Sequence, residues 1–168
     1  AASDVYKRQL YNAYRDGGDM QARQNMQEAA FLAGRAFTRG CVGYVHAIGH
    51  TLGGLYGVPH GLAMAVILPH VMRFFGKSAE KKLAKLSDIC GISGNCDREK
   101  AAAFISWMDD LKRKTGIPDH LEMIEEKDVP RIISWAIKEA NPIYPVPQVW
   151  GEKEFKEVLK NIKGESSI

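Results

Sequence analysis

The sequence lacks long apolar runs, an excess of charge of one sign, and a framework of cysteines. Its longest apolar run, 62–68, is far too short to cross a bilayer, and no secretory signal is recognised. The 23 basic and 20 acidic side chains nearly cancel to a net charge of +3, which argues against nucleic acid or an anionic membrane as a partner. Three cysteines are an odd number in a chain too long to need disulfides, so we expect free thiols in a reducing cytoplasm.

Alternating patterns typical of β-strands are also missing, whereas apolar residues recur at helical spacing along most of the chain. With 168 residues, of which 45% are hydrophobic and 26% charged, the chain is expected to form one folded domain spanning 1–168. The sequence therefore predicts an all-α fold, a multi-helix bundle of about seven helices. Because it begins Ala-Ala-Ser without a methionine, we interpret it as a fragment of a longer protein.

Local signals place several of these helices. Asp19 is expected to cap a helix whose apolar stripe is formed by Met26, Ala29, Ala33 and Phe37. Pro69 is expected to kink or terminate the helix that starts near residue 60, because proline cannot donate a backbone hydrogen bond. In a lysine-rich helix that starts near residue 78, the inward-facing residues are expected to be Leu83, Leu86 and Ile89.

Three of the five histidines fall within fifteen consecutive residues, in the segment GYVHAIGHTLGGLYGVPHG at 43–61. His46 and His50 lie one turn apart on one face of a helix, so their imidazoles can converge. His60 follows Pro59 at the start of the next helix and can face back toward them. Three imidazoles brought together form a plausible partial shell for a divalent transition metal.

Other interpretations of this cluster remain open. The chain could be a non-catalytic helical module that binds haem or a structural metal, or a plain helical scaffold in which the cluster is incidental.

Metalloprotease chemistry is excluded because Ala47 stands where the zinc-protease helix needs a glutamate. Nucleotide binding by a glycine-rich phosphate loop is excluded because no such loop occurs in the sequence. His70, beside Pro69, is interpreted as structural, and His120 as an exposed turn residue.

Three segments around the histidines resemble the iron-containing (group III) alcohol dehydrogenases, specifically their C-terminal all-helical domain, which is dehydroquinate synthase-like. The segments read VHAIGHTLGG at 45–54, PHGLAMA at 59–65 and LPHVM at 68–72, and an Ala-x-x-Ala-Gly-x-Ala-Phe pattern precedes them at 30–37. The resemblance runs from about Asp19 to Trp150. Residues 1–9 match nothing in the family, and we interpret them as non-native.

The resemblance implies a metal, usually Fe²⁺ and sometimes Zn²⁺, held by one aspartate and three histidines. It assigns two of those ligands to His46 and His60. His50 matches a catalytic histidine that lies beside the nicotinamide and takes part in substrate and proton traffic, although helical spacing alone would have paired it with His46. Phe37 matches an aromatic position that lines the substrate and nicotinamide pocket.

The family function that follows is hydride transfer between NAD or NADP and a small primary alcohol or aldehyde, with the metal as Lewis acid. The remaining two ligands and the N-terminal nucleotide-binding domain are missing from this sequence. We therefore interpret the chain as the C-terminal domain of a larger cytoplasmic enzyme, itself a homodimer. The isolated chain is expected to be inactive.

Overall fold

A computed structural model describes residues 2–165, with side chains from Gln9 onward. Within that range the chain forms α-helices joined by turns and loops, and no β-strand occurs there. One short 3₁₀ turn, Glu126–Asp128, precedes the seventh helix. The eight α-helices are α1 (Ala2–Arg15), α2 (Met20–Gly40), α3 (Tyr44–Tyr56), α4 (His60–Phe75), α5 (Lys77–Ile89), α6 (Asp97–Lys114), α7 (Val129–Ala140) and α8 (Glu152–Lys163).

The all-α prediction is confirmed, with eight helices in the described range where the sequence indicated about seven. The additional helix is α1, which occupies Ala2–Arg15. Much of it falls on residues 1–9, which we interpreted from the sequence as non-native. Of that stretch, the structure describes the backbone from residue 2 and side chains only from Gln9.

The chain divides into two compact units. Unit 1 comprises Ala1–Cys41 and Glu80–Thr115, and unit 2 comprises Val42–Ala79 and Gly116–Ile168. A single helical domain over 1–168 therefore remains a prediction.

In unit 1, α1 packs against α2, and Asp19 caps α2 as predicted: the Ala22 N–H donates to Asp19 Oδ1 at 2.9 Å. The predicted apolar stripe of α2 is only partly correct, because Ala29 is buried while Ala33 and Phe37 are exposed. The lysine-rich helix α5 also differs from its prediction. Leu83 is buried, but Leu86 and Ile89 are 44% and 61% exposed.

In unit 2, α3 packs against α4 and α7, and α8 packs against α4 and α7. Aromatic rings fill this core: Trp150 lies 4.6 Å from both Tyr44 and Phe75, and 5.6 Å from Phe155, between ring centroids. All four are at most 5% exposed. Burying an aromatic side chain of this size stabilises a fold by roughly 1.5–3 kcal/mol, so the cluster fixes how α3, α4 and α8 meet.

Pro69 does not terminate α4, contrary to one of the two predicted outcomes. The helix continues from His60 through Pro69 to Phe75. Pro69 is buried, as are Val66, Ile67 and Val71 around it. Packing of this apolar face compensates for the backbone hydrogen bond that proline cannot donate.

None of these helices, as described over residues 2–165, has the combination of length and apolar composition that a membrane span requires.

Candidate functional site

The candidate site is built on the α3–turn–α4 segment of unit 2. Helix α3 ends at Gly57, whose φ of +66° is the left-handed conformation that glycine adopts most readily, and its N–H donates to the Gly53 carbonyl. Pro59 then precedes the first residue of α4, His60. This tight connection folds α4 back onto α3, so that His60 returns to the helix face that carries His46 and His50.

The three predicted histidines come together. Ring centroids are 5.7 Å apart for His46 and His50, 5.5 Å for His46 and His60, and 5.5 Å for His50 and His60. His46 is half-buried, whereas His50 and His60 are exposed. The three imidazoles thus form a nearly equilateral triangle, which we call the histidine triangle. At 5.5 Å between centroids, the rings of His46 and His60 have no other side chain packed between them.

Close approach of α3 and α4 positions the histidine triangle. Gly49 stands between His46 and His50 in the chain, and it is buried. A Cβ placed on it would lie 1.9 Å from Met64 Cε, 3.5 Å from Ile67 Cδ1 and 3.6 Å from Ala63 Cβ. Only glycine leaves room for α4 at this point without displacement of Met64. In the dipeptide Gly49-His50, the glycine therefore allows the two helices to pack closely, and the histidine belongs to the histidine triangle.

Charge in the histidine triangle is disfavoured at its most buried member. Burial lowers the pKa of His46 below its ordinary value, and electrostatic repulsion from the His50 and His60 imidazoles lowers it further, while the Glu139 carboxylate acts in the opposite direction. His46 is therefore held in the neutral form, which carries a lone pair.

Glu139 is a site residue that the sequence reasoning missed. It lies in the last turn of α7, and its Oε1 is 2.8 Å from His50 Nδ1 and accepts a hydrogen bond from the Tyr144 hydroxyl at 2.9 Å. A signal was available: residues 132 and 136 are buried on α7, and position 139 continues that stripe with a carboxylate. An acidic residue on an apolar helix face requires a polar partner.

Phe37 lies on α2 in unit 1 and is 53% exposed. Its ring therefore takes no part in a core there. The expected contact with a nicotinamide stays a prediction.

Among the side chains described, from Gln9 to Glu165, no group of three or more histidine, cysteine, aspartate or glutamate residues has an arrangement that could hold a metal ion. His46 and His60 offer two imidazoles, the ligand type that suits iron and zinc. The donor set thus fits half of a four-ligand site.

The other two histidines lie elsewhere in unit 2. His70 Nε2 is 2.8 Å from the Asp119 carbonyl oxygen, and His120 Nδ1 is 3.1 Å from the Asn161 carbonyl oxygen. Their ring centroids are 5.4 Å apart, and both rings line an open cleft of about 430 Å³ together with Arg73, Phe74 and Asn161. Contacts of imidazoles with backbone carbonyls are typical of structural histidines.

Comparison with known proteins identifies the family of this chain. A sequence model of the C-terminal part of the Fe-containing alcohol dehydrogenase family matches residues 2–163, starting ahead of Asp19, where the resemblance was expected to begin. The expectation that residues 1–9 match nothing in the family was therefore wrong for residues 2–9. The chain is 38% identical over 157 residues to the 1,3-propanediol dehydrogenase of Klebsiella pneumoniae, covering 91% of this chain and 40% of that protein. It is 38% identical over 164 residues to alcohol dehydrogenase 4 of Schizosaccharomyces pombe, covering 94% of this chain and 37% of that protein.

Solved structures give the same result. A crystal structure of a 1,3-propanediol oxidoreductase superposes with a TM-score of 0.88 at 36% identity, covering 96% of this chain and 43% of that chain. An alcohol dehydrogenase from Oenococcus oeni superposes with a TM-score of 0.87 at 29% identity, again over 96% and 43%. The chain thus spans about two-fifths of the length of these relatives. It belongs to the Fe-containing alcohol dehydrogenase family, of which it matches the C-terminal part.

Proposed function

We propose that this chain is the metal-binding, substrate-facing half of an NAD(P)-dependent alcohol dehydrogenase that interconverts a small primary alcohol and its aldehyde. The observation that carries the proposal is the histidine triangle, in which the rings of His46 and His60 lie 5.5 Å apart on consecutive helices of a chain from this family. Relatives are named for 1,3-propanediol and for NADPH-dependent butanol oxidation, which supports a short primary alcohol as substrate class.

Iron, or alternatively zinc, would be held by His46 and His60 together with ligands from a preceding part of the enzyme. Imidazole nitrogen is a good donor for either ion, and the two rings lie on helices that pack closely at the buried Gly49, where an added Cβ would overlap Met64. When bound, the metal supplies a Lewis acid at the carbonyl or alcohol oxygen of the substrate.

His50 completes the proposed site as the residue that moves a proton. Its ring is exposed on one side, and its Nδ1 lies 2.8 Å from Glu139 Oε1, so the other ring nitrogen can exchange a proton with substrate or solvent. Phe37 is proposed to line the pocket for substrate and nicotinamide. Its exposed ring is compatible with that role.

NAD or NADP would be bound by a separate nucleotide-binding domain, and the complete enzyme would be a homodimer. A cytoplasmic location is proposed because Cys41 and Cys96 are exposed free thiols, which fit a reducing compartment. No nucleic acid or membrane partner is proposed.

The proposal is tested in a complete dehydrogenase that contains this chain, with His46→Ala and His60→Ala. Each variant is expected to lose iron and to lower kcat/KM for aldehyde reduction by more than about a hundredfold, because loss of even an outer-shell partner costs about 10–100-fold. His120→Ala is the matched control, since it removes an imidazole from unit 2 at the separate cleft.

Unchanged iron content and activity in both triangle variants would contradict the proposal and favour an incidental cluster. A Soret band, or one equivalent of metal retained by the 168-residue chain alone, would favour a haem or structural-metal module in place of a dehydrogenase.

A further inference from the structure

The histidine triangle has a polar contact with a residue from outside its own two helices. Glu139 lies on α7 and Tyr144 in the segment that follows it, whereas His50 lies on α3. His50 and Glu139 are 89 residues apart in sequence, yet His50 Nδ1 and Glu139 Oε1 are 2.8 Å apart. The pair therefore depends on the packing of α3 against α7.

We propose that Glu139 is a positioning residue, which holds the His50 imidazole in one orientation and in the tautomer that carries its proton on Nδ1. This inference rests on the proposed function, because it assigns Glu139 a part in the proton transfer proposed for His50.

Hydrogen-bond chemistry sets the direction of both contacts. An ionised carboxylate oxygen can only accept, so His50 Nδ1–H and the Tyr144 hydroxyl both donate to Oε1, at 2.8 and 2.9 Å. With Nδ1 protonated, the neutral ring leaves its lone pair on Nε2. That nitrogen is then the one available for proton exchange.

The second donor distinguishes this arrangement from an ordinary surface ion pair. An exposed pair orders two long side chains for little gain, and its partners are free to rotate away. Here the Tyr144 hydroxyl donates to the same Glu139 oxygen that accepts the hydrogen bond from His50, which holds that oxygen in place. The Glu139 side chain is only 30% exposed. A carboxylate fixed on the far side of an imidazole is the general means by which proteins set ring orientation and tautomer.

The direct test is the tautomer of His50 in the ¹⁵N-labelled 168-residue chain, read from two-bond ¹H–¹⁵N correlations at about pH 8.5, well above the ordinary histidine pKa of about 6.5. The chain is expected to show a protonated Nδ1 and an unprotonated Nε2. In Glu139→Ala, the signals should shift to a mixture or to the tautomer protonated on Nε2. Tyr144→Phe keeps the carboxylate but removes the donor that fixes it, so its signals should shift in the same direction as those of Glu139→Ala but less far.

Glu122→Ala is the matched control, because it removes an exposed carboxylate of unit 2 that does not contact His50. Its His50 signals are expected to be unchanged. A His50 ring that is protonated on Nε2 in the parent chain, or that keeps Nδ1 protonated in Glu139→Ala, overturns the inference. Neither result depends on turnover.

A second measurement separates this inference from the proposed function. In the complete dehydrogenase, Glu139→Ala should lower kcat by about 10–100-fold with a smaller change in KM, as expected for an outer-shell partner. If the tautomer shifts in the chain while kcat stays constant, Glu139 positions His50 but His50 carries no proton in the reaction. That outcome supports the positioning role and refutes the catalytic role of His50.

Discussion

Tyr44 shows how a single hydroxyl connects distant parts of unit 2. Its ring is 1% exposed, its hydroxyl donates to Asn141 Oδ1 at 2.8 Å, and it accepts the Trp150 backbone N–H at 3.0 Å. The Asn141 amide in turn donates to the Trp150 carbonyl at 3.2 Å. Tyr44 stands two residues before His46, so this network anchors the start of the helix that carries the site.

Removal of that hydroxyl should destabilise the fold. We expect Tyr44→Phe to lower the free energy of unfolding by about 2 kcal/mol, because two hydrogen bonds of about 1 kcal/mol each are lost and a buried N–H is left without an acceptor. Urea unfolding followed by tryptophan fluorescence measures the change, since Trp150 lies 4.6 Å from the ring of Tyr44. Tyr14→Phe, at a position 60% exposed, should be neutral. Equal midpoints for both variants would show that the network contributes little.

At the same scale, Glu139 shows a contact that could not be predicted from the residues around the histidines. The spacing of His46, His50 and His60 is local, within fifteen residues, so sequence alone indicated that they could converge. The partner of His50 lies 89 residues away, and no local periodicity connects the two positions. Trp135 is a comparable case: its size favours core packing, but its side chain is 44% exposed, and the Arg131 guanidinium carbon lies 5.9 Å from the ring centroid.

At the scale of elements, the contact between α3 and α4 decides the geometry of the histidine triangle. A Cβ added at position 49 would lie 1.9 Å from Met64 Cε of α4, whereas a Cβ added at Gly54, about one and a half turns further along α3, would meet nothing within 4 Å. Gly49 and Gly54 of this helix therefore differ in the side chains they would accept, although they look alike in sequence.

The same substitution at these two glycines should have different effects. Gly49→Val is expected to cost about 1–3 kcal/mol of stability, because Met64 can move aside but Ile67 and Ala63 would also crowd the new methyl groups. Gly54→Val should be close to neutral, since nothing lies within 4 Å of its added Cβ and valine favours a helix slightly more than glycine. Thermal unfolding of both variants gives the comparison. Equal losses at the two sites would refute close α3–α4 packing at Gly49.

Helix α4 shows a second effect of packing on an element. Proline normally interrupts a helix, and its position at 69 predicted a kink or an end. Pro69 does not end the helix, which runs on to Phe75 because the buried contacts on both sides of Pro69 outweigh one missing hydrogen bond. Local propensity was therefore a weak guide wherever a helix face is fully buried.

At the scale of the whole molecule, the 168-residue chain should not catalyse aldehyde reduction by itself. As proposed ligands, His46 and His60 would make up half of a four-ligand shell, and the described side chains offer no group of three or more that could hold a metal ion. The chain also spans about two-fifths of the length of its relatives. Purified chain assayed with butanal, Fe²⁺ and NADH or NADPH is expected to show no oxidation of the nucleotide. Turnover that is lost in His46→Ala would contradict this expectation and show that the chain completes the site alone.

The sequence by itself determined the helical class, the family and the histidines that converge, because helical periodicity and the spacing around Pro59 are local properties of the chain. Tertiary structure decided what lies against those histidines. Glu139 reaches His50 only because α7 packs on α3, and Gly49 matters only because Met64 and Ala63 of α4 lie over it. Contacts between residues far apart in sequence arise from packing of whole elements, which no short segment encodes.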